Sequence, residues 1–129
     1  MAWRYAKDPK EIKNIWEKQI SLQNKRNKNL EKPVFIPVLG GYNDKFARPS
    51  LWFEIPRKID GEDTYDWAWK VALKQNPDYI LITSWNEFFE GTAIEPSVEY
   101  GDYYLNKTQE WVSKWNDQLQ SKTIVQKMN

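Results

Sequence analysis

Glutamates stand among aromatic and aliphatic residues in the stretch ITSWNEFFEGTAIEP, Ile82 to Pro96. Glu87 and Glu90 are three residues apart and follow directly on an apolar run. Two carboxylates can divide acid and base catalysis when apolar surroundings keep one protonated near neutral pH and the other stays ionised. Phe88 and Phe89 are the neighbours that can supply such surroundings. The same spacing is also typical of a solvated turn, so spacing alone does not predict a reaction.

The composition narrows the chemistry that is open to this chain. Its 129 residues include no His and no Cys, which excludes Ser-His-Asp triads, thiol nucleophiles, Cys/His zinc sites and disulfides. Carboxylates are therefore the strongest acid and base candidates. The segment DGED, Asp60 to Asp63, lacks the ligand spacing of a calcium loop and is interpreted as a turn, so no metal and no cofactor is predicted.

Charge and aromatic content indicate the class of partner. A net charge of +1 offers no long-range field for nucleic acid or an anionic membrane surface, and no apolar run is long enough for a membrane span. Aromatic residues make up 16% of the chain, with eight Trp. Sugar rings stack on aromatic faces and bond to carboxylates, amides and Arg, so an oligosaccharide or polysaccharide is the predicted ligand. Core packing is the alternative for most individual rings. The lack of Cys leaves the compartment undecided.

The elements that position these glutamates alternate between helix and strand. Asp8 and Pro9 predict a helix start, and the polar run Asn24 to Asn29 is interpreted as its solvated end. The segments PVFIPVLGGY and DYILITSW predict two buried strands. A long loop, Asn43 to about Asp63, follows the first strand, and Thr64 is the predicted cap of the second helix. A third helix is predicted after the glutamate loop, with a frayed tail over 121–129. Its apolar side carries Tyr104, Leu105, Thr108, Trp111, Val112, Trp115 and Leu119.

This order predicts the fold class. A helical crossover makes the two strands parallel neighbours, and parallel strands need helices on their faces or closure into a barrel. A complete (β/α)8 barrel takes roughly 250 residues, so the chain is predicted to be one partial domain of a larger α/β fold. In a barrel, the loops that follow the strands carry the active site. The loop after the first strand and the glutamate loop, Asn86 to Tyr100, therefore both belong at the catalytic end.

The residues around the glutamates resemble a known family. The segment LITSWNEFFEGTAIEP is similar to the corresponding segment of glycoside hydrolase family 99, the endo-α-mannosidase family. The segments FIPVLGGYNDKFARP and GEDTYDWAWKVALKQNPDYI resemble a strand with its loop and the next helix and strand of that family. The resemblance covers about Pro33 to Trp115. It implies the C-terminal portion of a (β/α)8 TIM barrel and a retaining glycosidase that acts on α-mannoside-like or related polysaccharide linkages.

The resemblance also implies roles for individual residues. Glu90 would be the general acid and then the base that activates water. Glu87 would deprotonate the sugar's own 2-hydroxyl, which leads to a 1,2-anhydro intermediate. The hydroxyl-binding candidates are Arg48, Tyr42 and Asp44. Trp85 stands where the endomannosidases have Phe, and Phe89 where they have His.

The residues beside the glutamates leave further alternatives open. Trp85 and Asn86 either line the sugar site, or Trp85 caps the barrel. Trp52 is either a stacking platform or a packing residue. Three interpretations of the whole chain stay open: a glycosidase or part of one, a non-catalytic carbohydrate-binding or polysaccharide-biosynthesis relative, and a structural piece. The structural piece would be inactive alone and would associate with itself or with the missing barrel strands.

Overall fold

A computed structural model of the chain describes residues 8–128 and divides after Ile94 into two compact units. The first unit, from residue 8 to Ile94, is an α/β unit that contains every candidate site residue. The second unit, residues 95–128, contains one long helix. A single partial domain is predicted from the sequence, and the described residues divide into these two compact units.

The first helix, α1 (Pro9–Asn29), begins where the sequence predicts. The Asp8 side chain accepts a hydrogen bond from the backbone of Lys10 at 2.9 Å, and Pro9 occupies a position where no backbone donor is needed. The polar run that ends α1 was predicted to be solvated. This prediction is wrong for Asn24, which is buried. Its side-chain amide donates to the carbonyl of Gln75 at 2.9 Å and to the side chain of Gln75 at 2.8 Å.

Two parallel strands form the centre of the first unit. Strands β1 (Phe35–Leu39) and β6 (Tyr79–Thr83) pair in register, and helix α2 (Thr64–Lys74) crosses between them and packs on β1. The predicted parallel arrangement is confirmed. The Asp78 carboxylate secures the start of the pair by accepting from the backbone of Val34 at 2.7 Å.

The burial of the two strands differs from the prediction that both are buried. In β1, Ile36 and Val38 are buried while Phe35 is exposed. Most of β6 is exposed, including Leu81 at 49%. Within residues 8–128, this sheet contains only β1 and β6. No third strand in this part of the chain pairs with β6, and its apolar side chains are exposed.

The segment between β1 and α2 contains structure that the sequence did not reveal. Strands β2 (Tyr42–Asn43) and β3 (Glu54–Ile55) pair antiparallel, and β4 (Lys58–Ile59) and β5 (Glu62–Asp63) form a hairpin. The predicted uninterrupted loop is therefore corrected to two short antiparallel pairs.

The cap of α2 is Asp63 and not Thr64. The Asp63 carboxylate accepts from the backbones of Tyr65 at 2.8 Å and Asp66 at 3.1 Å. Thr64 is buried, and its hydroxyl bonds to the carbonyl of Pro56 instead. Asp63 therefore caps α2, and Thr64 bonds the start of the helix to Pro56 in the preceding segment.

Aromatic rings account for much of the packing in the first unit. A cluster of Ile12, Leu39, Ile55 and Ile59 is flanked by partly buried Trp16, Tyr42 and Phe53. The rings of Trp16 and Trp67 lie 6.4 Å apart, and Tyr65 and Trp69 in α2 are fully buried. These rings follow the core-packing interpretation, whereas Trp52 and Trp85 are about half exposed.

The second unit is built on α3 (Tyr103–Met128), which confirms the predicted third helix. Tyr104 and Trp111 are its buried residues. The helix continues through 121–128, where a frayed tail is predicted, and Asn129 lies outside the described residues. None of the helices within residues 8–128 has both the length and the apolar character that a membrane crossing needs.

The exposed face of β6 predicts association of the isolated chain, because an unpaired apolar strand recruits another. Light scattering across a concentration series is expected to show oligomers of the wild-type chain. Leu81→Glu is expected to shift the chain toward monomer. The matched control Leu22→Glu changes an equally exposed Leu of α1, at 54%, and is expected to leave association unchanged. A wild-type chain that stays monomeric at high concentration would contradict this prediction.

Candidate active site

Two loops meet at the carboxyl ends of β1 and β6. Strand β2 follows β1 and contacts the short 3-10 turn Phe88–Glu90, which follows β6. Gly91 has a φ of 62°, and a Cβ atom there would lie 3.2 Å from the backbone nitrogen of Asn43. A side chain at this position would therefore be strained and crowded. Both long loops emerge at the same end of the sheet, as predicted.

The glutamate loop is closed by bonds between its own two ends. The Ser84 hydroxyl accepts from the backbone of Glu87 at 3.0 Å and lies 2.7 Å from the hydroxyl of buried Thr92. The backbone nitrogen of Ser84 donates to the carbonyl of Thr92 at 3.1 Å, and that of Ile94 donates to the carbonyl of Ser84 at 3.0 Å. These bonds hold the turn that carries Glu87 and Glu90.

The side chains of this loop are open to solvent in this chain. Glu87 is exposed and Glu90 is partly buried. Phe88 is 53% and Phe89 74% exposed, so the prediction that these rings supply apolar surroundings for a carboxylate is wrong for this chain. Trp85 is 51% exposed, which leaves its ring accessible to a ligand.

A polar cluster follows β2 on the opposing loop. Asp44 is fully buried, and one carboxylate oxygen accepts from the backbone of Phe53 at 2.6 Å. The other oxygen accepts from the Tyr42 hydroxyl at 3.1 Å and lies 3.6 Å from Nε of Arg48. Asp44 is a hydroxyl-binding candidate from the sequence, and in this chain its buried carboxylate makes these contacts with the protein itself. Its carboxylate is used to hold Tyr42 and Arg48.

The charge state of this cluster follows from its contacts. Burial opposes ionisation of Asp44, but the hydrogen bonds from Phe53 and Tyr42 and the charge of Arg48 outweigh it, so the pKa of Asp44 lies below its ordinary value. Burial raises the pKa of Tyr42, and the bond to Asp44 and the negative charge of Glu90 raise it further. The Tyr42 hydroxyl therefore stays protonated and within the electrostatic reach of Glu90.

The lowered pKa of Asp44 predicts a stability effect with a defined sign. A depressed folded-state pKa adds stability above the ordinary value of 3.8, and this stability is lost as the pH falls through the folded-state pKa. Asp44→Asn is expected to cost about 1–3 kcal/mol at pH 7 and to reduce the loss of stability below pH ~4. Urea unfolding at several pH values measures both effects. The control Asp60→Asn changes an exposed carboxylate, and equal effects of the two variants would contradict the prediction.

Arg57 was not predicted from the sequence. Its Nη2 donates to the carbonyl of Gly91 at 2.8 Å and to that of Ala93 at 3.1 Å, which connects the segment after β3 to the glutamate loop. Ser84 and Thr92 were missed as the residues that close that loop. Arg57 lies in an irregular segment, where no periodic pattern indicates its contacts. The hydroxyl residues Ser84 and Thr92 flank the glutamates in the sequence and could have been proposed as a pair.

Comparison with known proteins finds similarity to one family of glycosidases. The sequence model of Glycosyl hydrolase family 99 matches residues 12–117. The chain is 32% identical over 128 residues to a glycoprotein endo-alpha-1,2-mannosidase of Rattus norvegicus, with 88% of the chain and 26% of that protein covered. It is 35% identical over 102 residues to the Xenopus laevis protein of the same name, with 67% and 22% covered.

A solved structure gives the same result for the fold. The GH99 endo-alpha-mannosidase from Bacteroides thetaiotaomicron matches with a TM-score of 0.63 and 30% identity. The match covers 81% of this chain and 34% of that one. The chain spans about a quarter of the length of the two curated relatives described above.

Proposed function

The chain belongs to glycosyl hydrolase family 99, and we propose that it forms the C-terminal part of a (β/α)8-barrel glycosidase that cleaves α-mannoside-like or related polysaccharide linkages with retention. One observation carries the proposal beyond family membership. The parallel pair of β1 and β6 puts the glutamate loop beside the cluster of Tyr42, Asp44 and Arg48. Candidate sugar-binding groups and candidate catalytic carboxylates therefore share one end of the sheet.

The two glutamates have different tasks in this proposal. Glu90 gives its proton to the glycosidic oxygen as the bond from the anomeric carbon to that oxygen breaks. Glu87 takes the proton of the sugar's 2-hydroxyl, whose oxygen closes on the anomeric carbon to form a 1,2-anhydro sugar. Glu90, now ionised, removes a proton from the water that attacks the anomeric carbon, and Glu87 returns its proton to the 2-oxygen as the ring opens. Two inversions at the anomeric carbon give net retention.

The other candidate residues bind the sugar or hold the groups that bind it. Arg48 is the hydroxyl-binding cation, because its side chain is 48% exposed while Nε stays on the Asp44 carboxylate. Trp85 supplies an accessible ring for stacking, and Asn86 is exposed beside it. The Tyr42 hydroxyl donates a hydrogen bond to Asp44, and the negative charge of Glu90 raises the pKa of Tyr42. Asp44 acts through Tyr42 and Arg48.

The activity belongs to a protein in which further strands complete the pocket. The chain spans about a quarter of its curated relatives, and the apolar residues of β6 are exposed. The isolated 129-residue chain is therefore expected to show little or no turnover.

The test is a hydrolysis assay on an α-1,2-linked mannoside with the full glycosidase that contains this chain. Proton NMR during the first minutes identifies the anomer of the released sugar. The α anomer is expected, because retention preserves the α configuration. Initial release of the β anomer would exclude the proposed route, and the absence of hydrolysis despite measurable binding would exclude catalysis.

A non-catalytic carbohydrate-binding protein is the second candidate function. The exposure of Trp85, Phe88 and Phe89 favours it, because exposed rings suit sugar stacking and do not desolvate a catalytic carboxylate. Calorimetric titration with a mannose oligosaccharide, run beside the hydrolysis assay, separates the two candidates.

A further inference from the structure

Arg57 bridges the two loops of the candidate site. It lies between β3 and β4, and its Nη2 donates to the carbonyls of Gly91 and Ala93 at 2.8 and 3.1 Å. Gly91 directly follows Glu90 in the chain. One guanidinium nitrogen therefore holds the backbone immediately after the 3-10 turn that ends at Glu90.

The position of Arg57 is itself fixed by its surroundings. Its carbonyl accepts from the backbone of Thr64, the first residue of α2, at 2.9 Å. A Cβ atom at Gly41 would lie only 2.9 Å from Cγ of Arg57, so the side chain passes closely over the glycine that directly precedes β2. Helix α2 and the glycine before β2 thus hold the base of the side chain.

We propose that Arg57 is a positioning residue that fixes the glutamate loop, and with it Glu87 and Glu90, through the carbonyls of Gly91 and Ala93. Hydrogen bonds from a charged donor are stronger than neutral ones, and two of them from one nitrogen restrain the loop at its closing end. Lys lacks the planar group that can serve two carbonyls in a fixed geometry. The catalytic consequence rests on the proposed function, whereas the structural one does not.

Hydrogen exchange of the full 129-residue chain tests the structural consequence. In Arg57→Met, the amides of Thr92 and Ile94 are expected to exchange roughly 10-fold faster or more, because opening of the loop becomes easier. Amides of β1 are expected to exchange at the wild-type rate. Arg26→Met, which changes an exposed Arg of α1, is the control and is expected to change neither set. Unchanged exchange at Thr92 and Ile94 would overturn the proposal.

Two further variants keep the test decisive if Arg57→Met does not fold. Arg57→Lys retains the charge and one possible bond, so an intermediate exchange rate of the loop is expected. Gly41→Ala displaces the Arg57 side chain without removing it and is expected to accelerate the same amides. Exchange that rises uniformly across the chain in both variants would show a general stabilising role and would overturn the proposal.

Kinetics of the full glycosidase test the catalytic consequence. A misplacement of about 1 Å costs up to roughly 10²-fold in rate, so Arg57→Met is expected to lower kcat about 10- to 100-fold with KM nearly unchanged. Arg57→Lys is expected to recover part of kcat. A rise in KM at constant kcat would overturn the catalytic consequence. If the wild-type protein does not hydrolyse any mannoside, the proposed function fails, while the hydrogen-exchange result still decides whether Arg57 holds the loop.

Discussion

Replacement of Glu90 by Gln is expected to lower the hydrolysis of mannosides with poor leaving groups by roughly 10²- to 10⁴-fold, the usual contribution of general acid and base catalysis. The amide cannot protonate the glycosidic oxygen. Activated aryl mannosides are expected to lose less, because their leaving group departs without a proton, although the water in the second step still needs a base. Steady-state kinetics on both substrate classes measure the difference.

The matched control for this variant is Glu110→Gln, which removes one exposed carboxylate of α3. It is expected to leave kcat/KM unchanged on both substrates. If Glu90→Gln behaved like this control, Glu90 would not be the acid, and the carbohydrate-binding function would take precedence.

Glu87→Gln is expected to slow natural and aryl substrates alike, by about 10²- to 10⁴-fold, since removal of the 2-hydroxyl proton does not depend on the leaving group. The two glutamate variants are therefore distinguished by their pattern and not only by their size. Parallel assays of both variants on one poor and one activated substrate provide the comparison.

A substrate change tests the same step without a mutation. A 2-deoxy or 2-fluoro sugar lacks the hydroxyl that Glu87 deprotonates, so the wild-type glycosidase is expected to hydrolyse it poorly. Rapid hydrolysis of such a sugar would exclude the 1,2-anhydro intermediate. Equal and mild effects of both glutamate variants on every substrate would mean that these side chains only bind the sugar or brace the loop.

The features of the fold that depend on local sequence preferences, or on the geometry of a helical crossover between strands, were predictable. The Asp8 cap, the crossover through α2 and the shared end of the two loops follow from capping preferences and from the parallel pairing that a helical crossover imposes. The candidate glutamates were found because their surrounding string resembles a family. Their geometry was not found, because residues three apart can meet or diverge.

Features that depend on tertiary contacts were not predictable. Strands β2 to β5 are two residues long, so they show no periodicity. Asp63 and Thr64 are both good caps, and only the bond from Thr64 to Pro56 decides between them. Asn24 lies in a polar run, yet it is buried in the fold, where its side chain donates a hydrogen bond to Gln75.

The candidate site shows the same limit. Nothing in the composition indicates that Asp44 is buried, because its partners Phe53 and Arg48 reach it only through the fold of the loop. Arg57 contacts residues 34 and 36 positions away, beyond any local pattern.

The pairing of β1 with β6 has a consequence for biosynthesis. Val34 and Asp78, which secure the pair, are 44 residues apart. At roughly 5–20 residues per second, the ribosome releases β1 about 2–9 s before β6. Helix–coil relaxation takes about a microsecond or less, so folding of α2 does not lengthen this interval. Helix α2 therefore emerges before β6 and is available to pack on nascent β1. The speed of translation between the two strands sets how long β1 remains without its neighbouring strand.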